Sequence, residues 1–370
     1  MKSLPLYSPI IKGKLNDLKA ISKLTEGARL KIKPLIEAMP LHDEEKTLEN
    51  HLKKFVSYIE KYVTVEEIFV DFYGLSGMKT LEGVEATLAG FDLLKTCSVT
   101  ITPTYGFERD DDLWSLLSPI VKNFGAGFCF RIDIDDLDDQ AEDTMSQILE
   151  RSSQLRLKPK EVDLFIDLRD VADRNLDELK DLVLDFLQFI PSSVNFRSII
   201  LAGSSALKTV ADIPMEGVID VARQELHLWA KLQRDLPESI SLIYGDYGVV
   251  HPDFVDGIRN KYMNAKIRYT TRGRITYFRG HGLLHPVKDY EQYRKLADKV
   301  RNSSCYMGLS FSAGDKYIND VAAFNETHGA PATWVLADMN HHLEYTVMQI
   351  TELVSVVRAE KSASKLEALL

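Results

Sequence analysis

The sequence predicts a (β/α)₈ barrel of the TIM type, built as a single domain, on three observations. Eight β-like apolar runs begin roughly every 33 residues, the repeat of a strand plus a crossover helix. The intervals between them carry helical periodicity. Most of the runs have polar residues at or just beyond their ends, as strands do where their following loops build a site. Strand–helix alternation implies parallel pairing, because parallel neighbours need crossovers. An open doubly wound sheet is the alternative. Closure is preferred because eight strands close around a filled interior. There is also no G-x-G-x-x-G after the first run and no G-x-x-x-x-G-K-[ST] anywhere.

The predicted strands are Ile32–Met39, Glu67–Phe72, Ser98–Pro103, Gly127–Ile134, Val162–Leu168, Arg197–Gly203, Ile240–Tyr244 and Lys266–Thr271. Leu48, Leu52, Phe55, Val56, Ile59 and Val63 stripe one helix, and Leu176, Leu179, Val183, Phe186 and Ile190 another. Val218, Val221 and Trp229 suggest a third. Residues 1–31 read as an N-terminal extension, with an extended piece at Leu6–Lys12 and a short helix at Asn16–Leu24. The barrel is expected over 32–285. Beyond it come a helix at Tyr290–Val300, an irregular Ser310–Pro331 and a long helix striped by Leu343, Val347, Ile350, Val354 and Val357. No Pro- or Ser-rich linker interrupts the chain.

The bulk composition excludes several classes. Across 370 residues the net charge is −10, which opposes non-specific nucleic-acid binding yet permits a local basic pocket. Cys97, Cys129 and Cys305 are odd in number and contain no C-x-x-C, against a disulfide framework or a structural zinc site. The opening Met1-Lys2-Ser3-Leu4-Pro5 lacks the apolar core of a signal peptide, and no apolar run approaches ~18 residues. A cytoplasmic protein without membrane contact is expected.

Four segments carry a resemblance. They are Tyr7-Ser8-Pro9-Ile10-Ile11-Lys12-Gly13-Lys14, Ile32-Lys33-Pro34-Leu35-Ile36-Glu37, Tyr244-Gly245-Asp246-Tyr247 with Pro252 behind it, and Ser312-Ala313-Gly314-Asp315. Together they resemble the phage-type Beta protein family, found in phage and bacterial genomes, over nearly the whole chain. The resemblance implies a phage, mobile-element or antiviral-conflict setting. A protein partner from the same operon or from a phage fits that setting; no reaction is implied.

In a barrel the chemistry belongs at the C-terminal ends of the strands. Glu37, Asp71, Asp133, Asp167 and Asp246 lie near or just beyond the ends of five different runs. Period-two alternation puts Gly127, Cys129, Arg131 and Asp133 on one face, and Asp163, Phe165 and Asp167 on another. A ring of carboxylates can hold Mg²⁺ or Mn²⁺, with Glu37, Asp71 and Asp246 as candidate ligands. Asp133 and Asp167 are candidates for acid–base work. The plainer alternative is that these acids start loops and cap helices.

A basic cluster, Lys266, Arg268, Arg272, Arg274 and Arg279, stands out in an acidic chain. Arg272 and Arg274, with Arg131 and Tyr247, are candidates for holding a phosphate-bearing ligand or nucleic-acid end. A surface ribbon is the competing explanation. His281 at the exit of that cluster is a candidate acid, although Gly282 and Pro286 spoil an H-x-x-x-H helix with His285. The Asp133–Asp139 run is no EF-hand, since Asp138 stands where Gly is needed and Thr144 where Glu is. Asp110–Asp112 reads as a solvated turn. Gly203-Ser204-Ser205 is not a G-x-S-x-G elbow. Two functions follow: a metal-assisted phosphodiesterase or nuclease-like hydrolase, or a non-catalytic barrel that recognises a phage component or partner protein.

Overall fold

The computed structural model describes residues 4–41, 47–109, 113–138, 140–237, 239–253, 263–284 and 287–369. Its strands are β1 (Ile10–Lys12), β2 (Leu35–Glu37), β3 (Glu67–Asp71), β4 (Thr100–Gly106), β5 (Phe128–Ile132), β6 (Val162–Asp170), β7 (Ser198–Ser204), β8 (Val218–Ala222), β9 (Leu242–Asp246), β10 (Asn264–Thr271) and β11 (Arg274–Gly282). The helices begin with α1 (Leu15–Ser22), α2 (Glu26–Arg29), α3 (Leu48–Tyr62), α4 (Ala86–Leu94), α5 (Trp114–Phe124) and α6 (Ala141–Gln154). They continue with α7 (Leu176–Gln188), α8 (Gln224–Asp235), α9 (Gln292–Arg301), α10 (Ala313–Ala322) and α11 (Pro331–Leu369).

β1 to β7 and then β9 form one eight-stranded parallel sheet in sequence order. A parallel bridge between Tyr7 and Tyr244, with Ser8 N donating to Tyr244 O at 2.8 Å, joins its two ends into a nearly closed barrel. Side-chain alternation separates inside from outside. Ile10, Leu35, Phe69, Cys129, Phe165, Ile200, Ala202, Ile243 and Tyr247 make an inner cluster. Ile36, Ile68, Val70, Phe128, Phe130, Leu164 and Ile166 face the helices. Gly245 belongs on the inside because a Cβ there would lie 2.8 Å from Ala202 Cβ and 2.9 Å from Ser8 O. The striped helices α3 and α7 start on side-chain caps, Thr47 to Asn50 N and Asn175 to Asp177 N. Their buried stripes supply the stability that a cap alone cannot.

The barrel class holds, but its membership differs from the expected one. The first strand is Ile10–Lys12, inside the stretch read as an extension. Lys266–Thr271 is not the eighth strand: it is part of β10, which pairs antiparallel with β11, and β11 pairs antiparallel with β8. Val218 and Val221 lie on β8, not on a helix; only Trp229 is helical, in α8. The expected irregular stretch contains α10, which Ser312 caps by accepting from Asp315 N.

This three-stranded sheet has its own apolar core, in which Ile267, Tyr269 and Phe278 pack against Leu296 of α9, Ile318 of α10 and Trp334 of α11. The opposite side of β10 meets the barrel side, where Arg268 Nη1 donates to Val249 O at 3.0 Å. α11 contacts α1, α8 and β10, so one long helix ties the second sheet to the barrel wall.

Candidate active site at the barrel mouth

Arg131 ends the inward face of β5 and is buried at the centre of the barrel mouth. Its Nη1 donates to Glu37 Oε1 at 3.0 Å and to Asp71 Oδ2 at 2.7 Å. Its Nε and Nη2 donate to Asp167 Oδ2 at 3.1 and 2.6 Å. Tyr247 closes the figure: its hydroxyl accepts from Arg131 Nη2 at 3.1 Å and donates to Asp167 Oδ2 at 2.6 Å. Three of the predicted carboxylates therefore do converge, on a guanidinium of the same chain.

Two further cations complete the neutralisation. Lys12, at the end of β1, pairs with Glu37 and donates to Pro252 O at 3.2 Å. Arg109 grips both oxygens of Asp71 at 2.6 and 2.8 Å. Burial alone would push the Glu37 and Asp71 carboxyls up. For Glu37, Arg131 and then Lys12 outweigh it; for Asp71, Arg109 and then Arg131 do, and both acids sit below the usual carboxylate range. Burial, then the charge of Asp167, raises the Tyr247 hydroxyl well above its ordinary value, so it stays protonated.

Above this layer lies a pocket of about 290 Å³, counted out to open solvent, lined by Tyr73, Glu108, Arg131, Asp133, Asp167 and Arg169. On its rim the carboxylates of Glu108, Asp133 and Asp136 each offer an oxygen, all within 4.8 Å of one another. Local turns place two of them: Asp133 Oδ1 accepts from Asp135 N at 2.9 Å, and Asp136 Oδ2 from Asp133 N at 3.0 Å. Burial, together with the charges of Asp133 and Glu108, pushes the Asp136 carboxyl up to about 7. Arg109 Nε donates to Glu108 Oε1 at 2.8 Å, so Glu108 already has one cationic partner. A cluster of hard oxygen donors suits a divalent cation.

Four predicted residues are elsewhere. Asp246 faces outward from β9, because the parity that turns Ile243, Gly245 and Tyr247 inward turns it towards the helices. There it accepts from Arg223 Nη2 at 3.0 Å and Gly248 N at 2.9 Å, and lies 3.0 Å from His342 Nε2. Burial opposes its ionisation, and His342 and Arg223 overcome that, so its carboxyl is held low. It is a packing anchor between β9 and α11.

Arg272 and Arg274 sit on the β10–β11 hairpin, exposed, where Gly273 turns the chain at φ +68°. Arg274 makes only a loose pair with Asp220 at 3.6 Å. His281 is on β11, 3.1 Å from Asp289. None of the three lines the mouth pocket, because the strand that carries or adjoins them belongs to the second sheet. His285 and Asp110–Asp112 lie outside the described residues.

Lys12, Tyr73, Glu108 and Arg109 were not singled out from the sequence as site residues, and Asp136 was read only within the Asp133–Asp139 run set aside as no EF-hand. Lys12 had a signal, since it ends an apolar run at the same phase as the other mouth residues. Glu108, Arg109 and Tyr73 follow strands in loops, where no periodicity marks them.

Solved structures with some likeness include an alanine racemase from Clostridium difficile 630 in complex with cycloserine. That match has a TM-score of 0.35 and 13% identity, and covers 75% of this chain and 65% of the racemase. A Paramecium bursaria Chlorella virus arginine decarboxylase bound to agmatine matches at a TM-score of 0.30 and 10% identity, over 76% of this chain and 90% of that one. The chain thus spans about 65% of the racemase's length, and likenesses this low carry nothing about chemistry. No curated protein matches the sequence. No helix among the described residues is long and apolar enough to cross a membrane. The model of the Beta protein family matches residues 7–348, nearly the whole chain, and the protein belongs to that family.

Proposed function

We propose that the barrel mouth hydrolyses a phosphate ester with the help of a divalent cation, Mg²⁺ or Mn²⁺. The supporting observation is the meeting of Glu108, Asp133 and Asp136 within 4.8 Å on the rim of the mouth pocket. A cation held there would supply an activated water and offset charge on the phosphoryl oxygens. Glu108 and Asp133 would hold it, and Asp136 would give up the proton it keeps near neutral pH. The metal role thereby moves from Glu37, Asp71 and Asp246 to this rim cluster. Asp167, locked by Arg131 and Tyr247, positions the pocket floor.

A second reading has its own observation. Glu37, Asp71 and Asp167 are already neutralised by Lys12, Arg109 and Arg131, an arrangement that stiffens a mouth without needing chemistry. A barrel that recognises a phage component or partner protein would be built that way. The test is hydrolysis of p-nitrophenyl phosphate, of bis-p-nitrophenyl phosphate and of an oligonucleotide with Mn²⁺ or Mg²⁺ present. Activity lost with chelator and in a well-folded Asp133→Asn protein supports the enzyme. No activity with either cation, or equal activity in Asp133→Asn, favours the recognition barrel.

A further inference from the structure

We infer that Arg169 is the oxyanion-recognising residue of the mouth and that it takes a single terminal phosphoryl group. The inference rests on the proposed reading of the mouth as the ligand site, and adds the ligand's anchor. Arg169 has φ +55°, left-handed backbone that a non-glycine residue seldom adopts. The register of β6 against β7 shifts between Asp167 and Asp170, so Arg169 sits in a bulge that re-aims its side chain. Its backbone N donates to Asp167 Oδ1 at 3.0 Å, which ties the bulge to the Arg131 cluster. Such strain is kept where surrounding contacts over-determine it, and commonly at binding sites.

Among the arginines of the mouth, Arg169 differs in its partner. Arg131 is committed to buried carboxylates, and Arg109 to buried Asp71 and to its neighbour Glu108. Arg169 lines the pocket with its side chain 35% exposed, and pairs at 2.9 Å with Asp253, which is 47% exposed. An ion pair between two hydrated groups is weak and exchangeable. Asp253 also has Lys208 at 3.6 Å, so it keeps a cation when Arg169 turns to a ligand. Arginine's planar fork matches two phosphoryl oxygens. One exchangeable fork, lining the same pocket as Glu108 and Asp133, suits one phosphoryl group.

The experiment is calorimetric titration of the full chain with inorganic phosphate, in chelator and at fixed ionic strength. Wild type, Arg169→Gln, Arg169→Lys and Asp253→Asn proteins are compared after their melting has been checked. Arg169→Gln is expected to weaken phosphate binding at least tenfold, with Arg169→Lys between. Asp253→Asn, at an exposed position that should not disturb folding, is expected to tighten it severalfold by removing the competing carboxylate. No phosphate binding by wild type, equal binding by Arg169→Gln, or no tightening in Asp253→Asn overturns the inference. Phosphate binding that depends on Arg169 without any cation-dependent hydrolysis would instead sink only the proposed enzyme.

Discussion

Nη2 of Arg131 donates to Oδ2 of Asp167 at 2.6 Å, across the neighbouring strands β5 and β6 and inside the mouth. A guanidinium stands where a metal ion would be expected among converging carboxylates. That substitution makes the ring a structural unit with measurable consequences.

Arg131→Met should be strongly destabilising. It leaves Glu37, Asp71 and Asp167 partly uncompensated in a buried layer, and breaking such a cluster costs about 3–5 kcal/mol. Arg272→Ala, on the exposed hairpin, should stay within about 0.5 kcal/mol. Denaturant unfolding of both proteins separates the two, and equal losses would contradict the packing described.

Tyr247→Phe keeps the ring and removes a hydroxyl that both accepts from Arg131 and donates to Asp167. Hydrogen bonds to charged groups contribute roughly 1.5–3 kcal/mol each, so a loss in that range is expected. A neutral outcome would mean that the hydroxyl does not close the cluster.

The stability profile should respond to pH with two opposite signs. Glu37 and Asp71 have depressed carboxyls. Their contribution is present above the unfolded value of about 4 and is lost as pH falls below it. Asp136 is raised to about 7, so its folded form holds a proton that the unfolded chain has released. Its contribution therefore falls as pH rises from about 4 through 7. Unfolding midpoints of wild type and Asp136→Asn between pH 5 and 8 check this. The decline should flatten in the variant, and identical slopes would contradict it.

Much of this was legible in the residues, and the failures have physical causes. Period-two alternation placed Arg131 and Asp133 on one face and Asp167 on another, and the mouth brings them together. The same parity, not applied to β9, would have sent Asp246 outward and Tyr247 inward. β1 lies in the extended piece Leu6–Lys12 but was set outside the barrel, because eight runs were already counted without it. β10 took its place because both its faces are covered, one by its own helices and one by the barrel, so it reads like a barrel strand. The basic cluster was real in sequence but straddles a hairpin. Arg268 went inside to Asp338 while Arg272 and Arg274 went out to solvent.

Whether the mouth takes a divalent cation on Glu108, Asp133 and Asp136 is read out by thermal melting. Wild type and Asp133→Asn would be compared with Mn²⁺, with Mg²⁺ and with chelator. Ligand at a hundredfold excess over Kd stabilises by about 2.7 kcal/mol, a rise of several degrees. That rise is expected for wild type, with its loss below pH 6 as Asp136 takes up its proton and its absence in Asp133→Asn. Melting unmoved by either cation in wild type, or moved equally in Asp133→Asn, would contradict it.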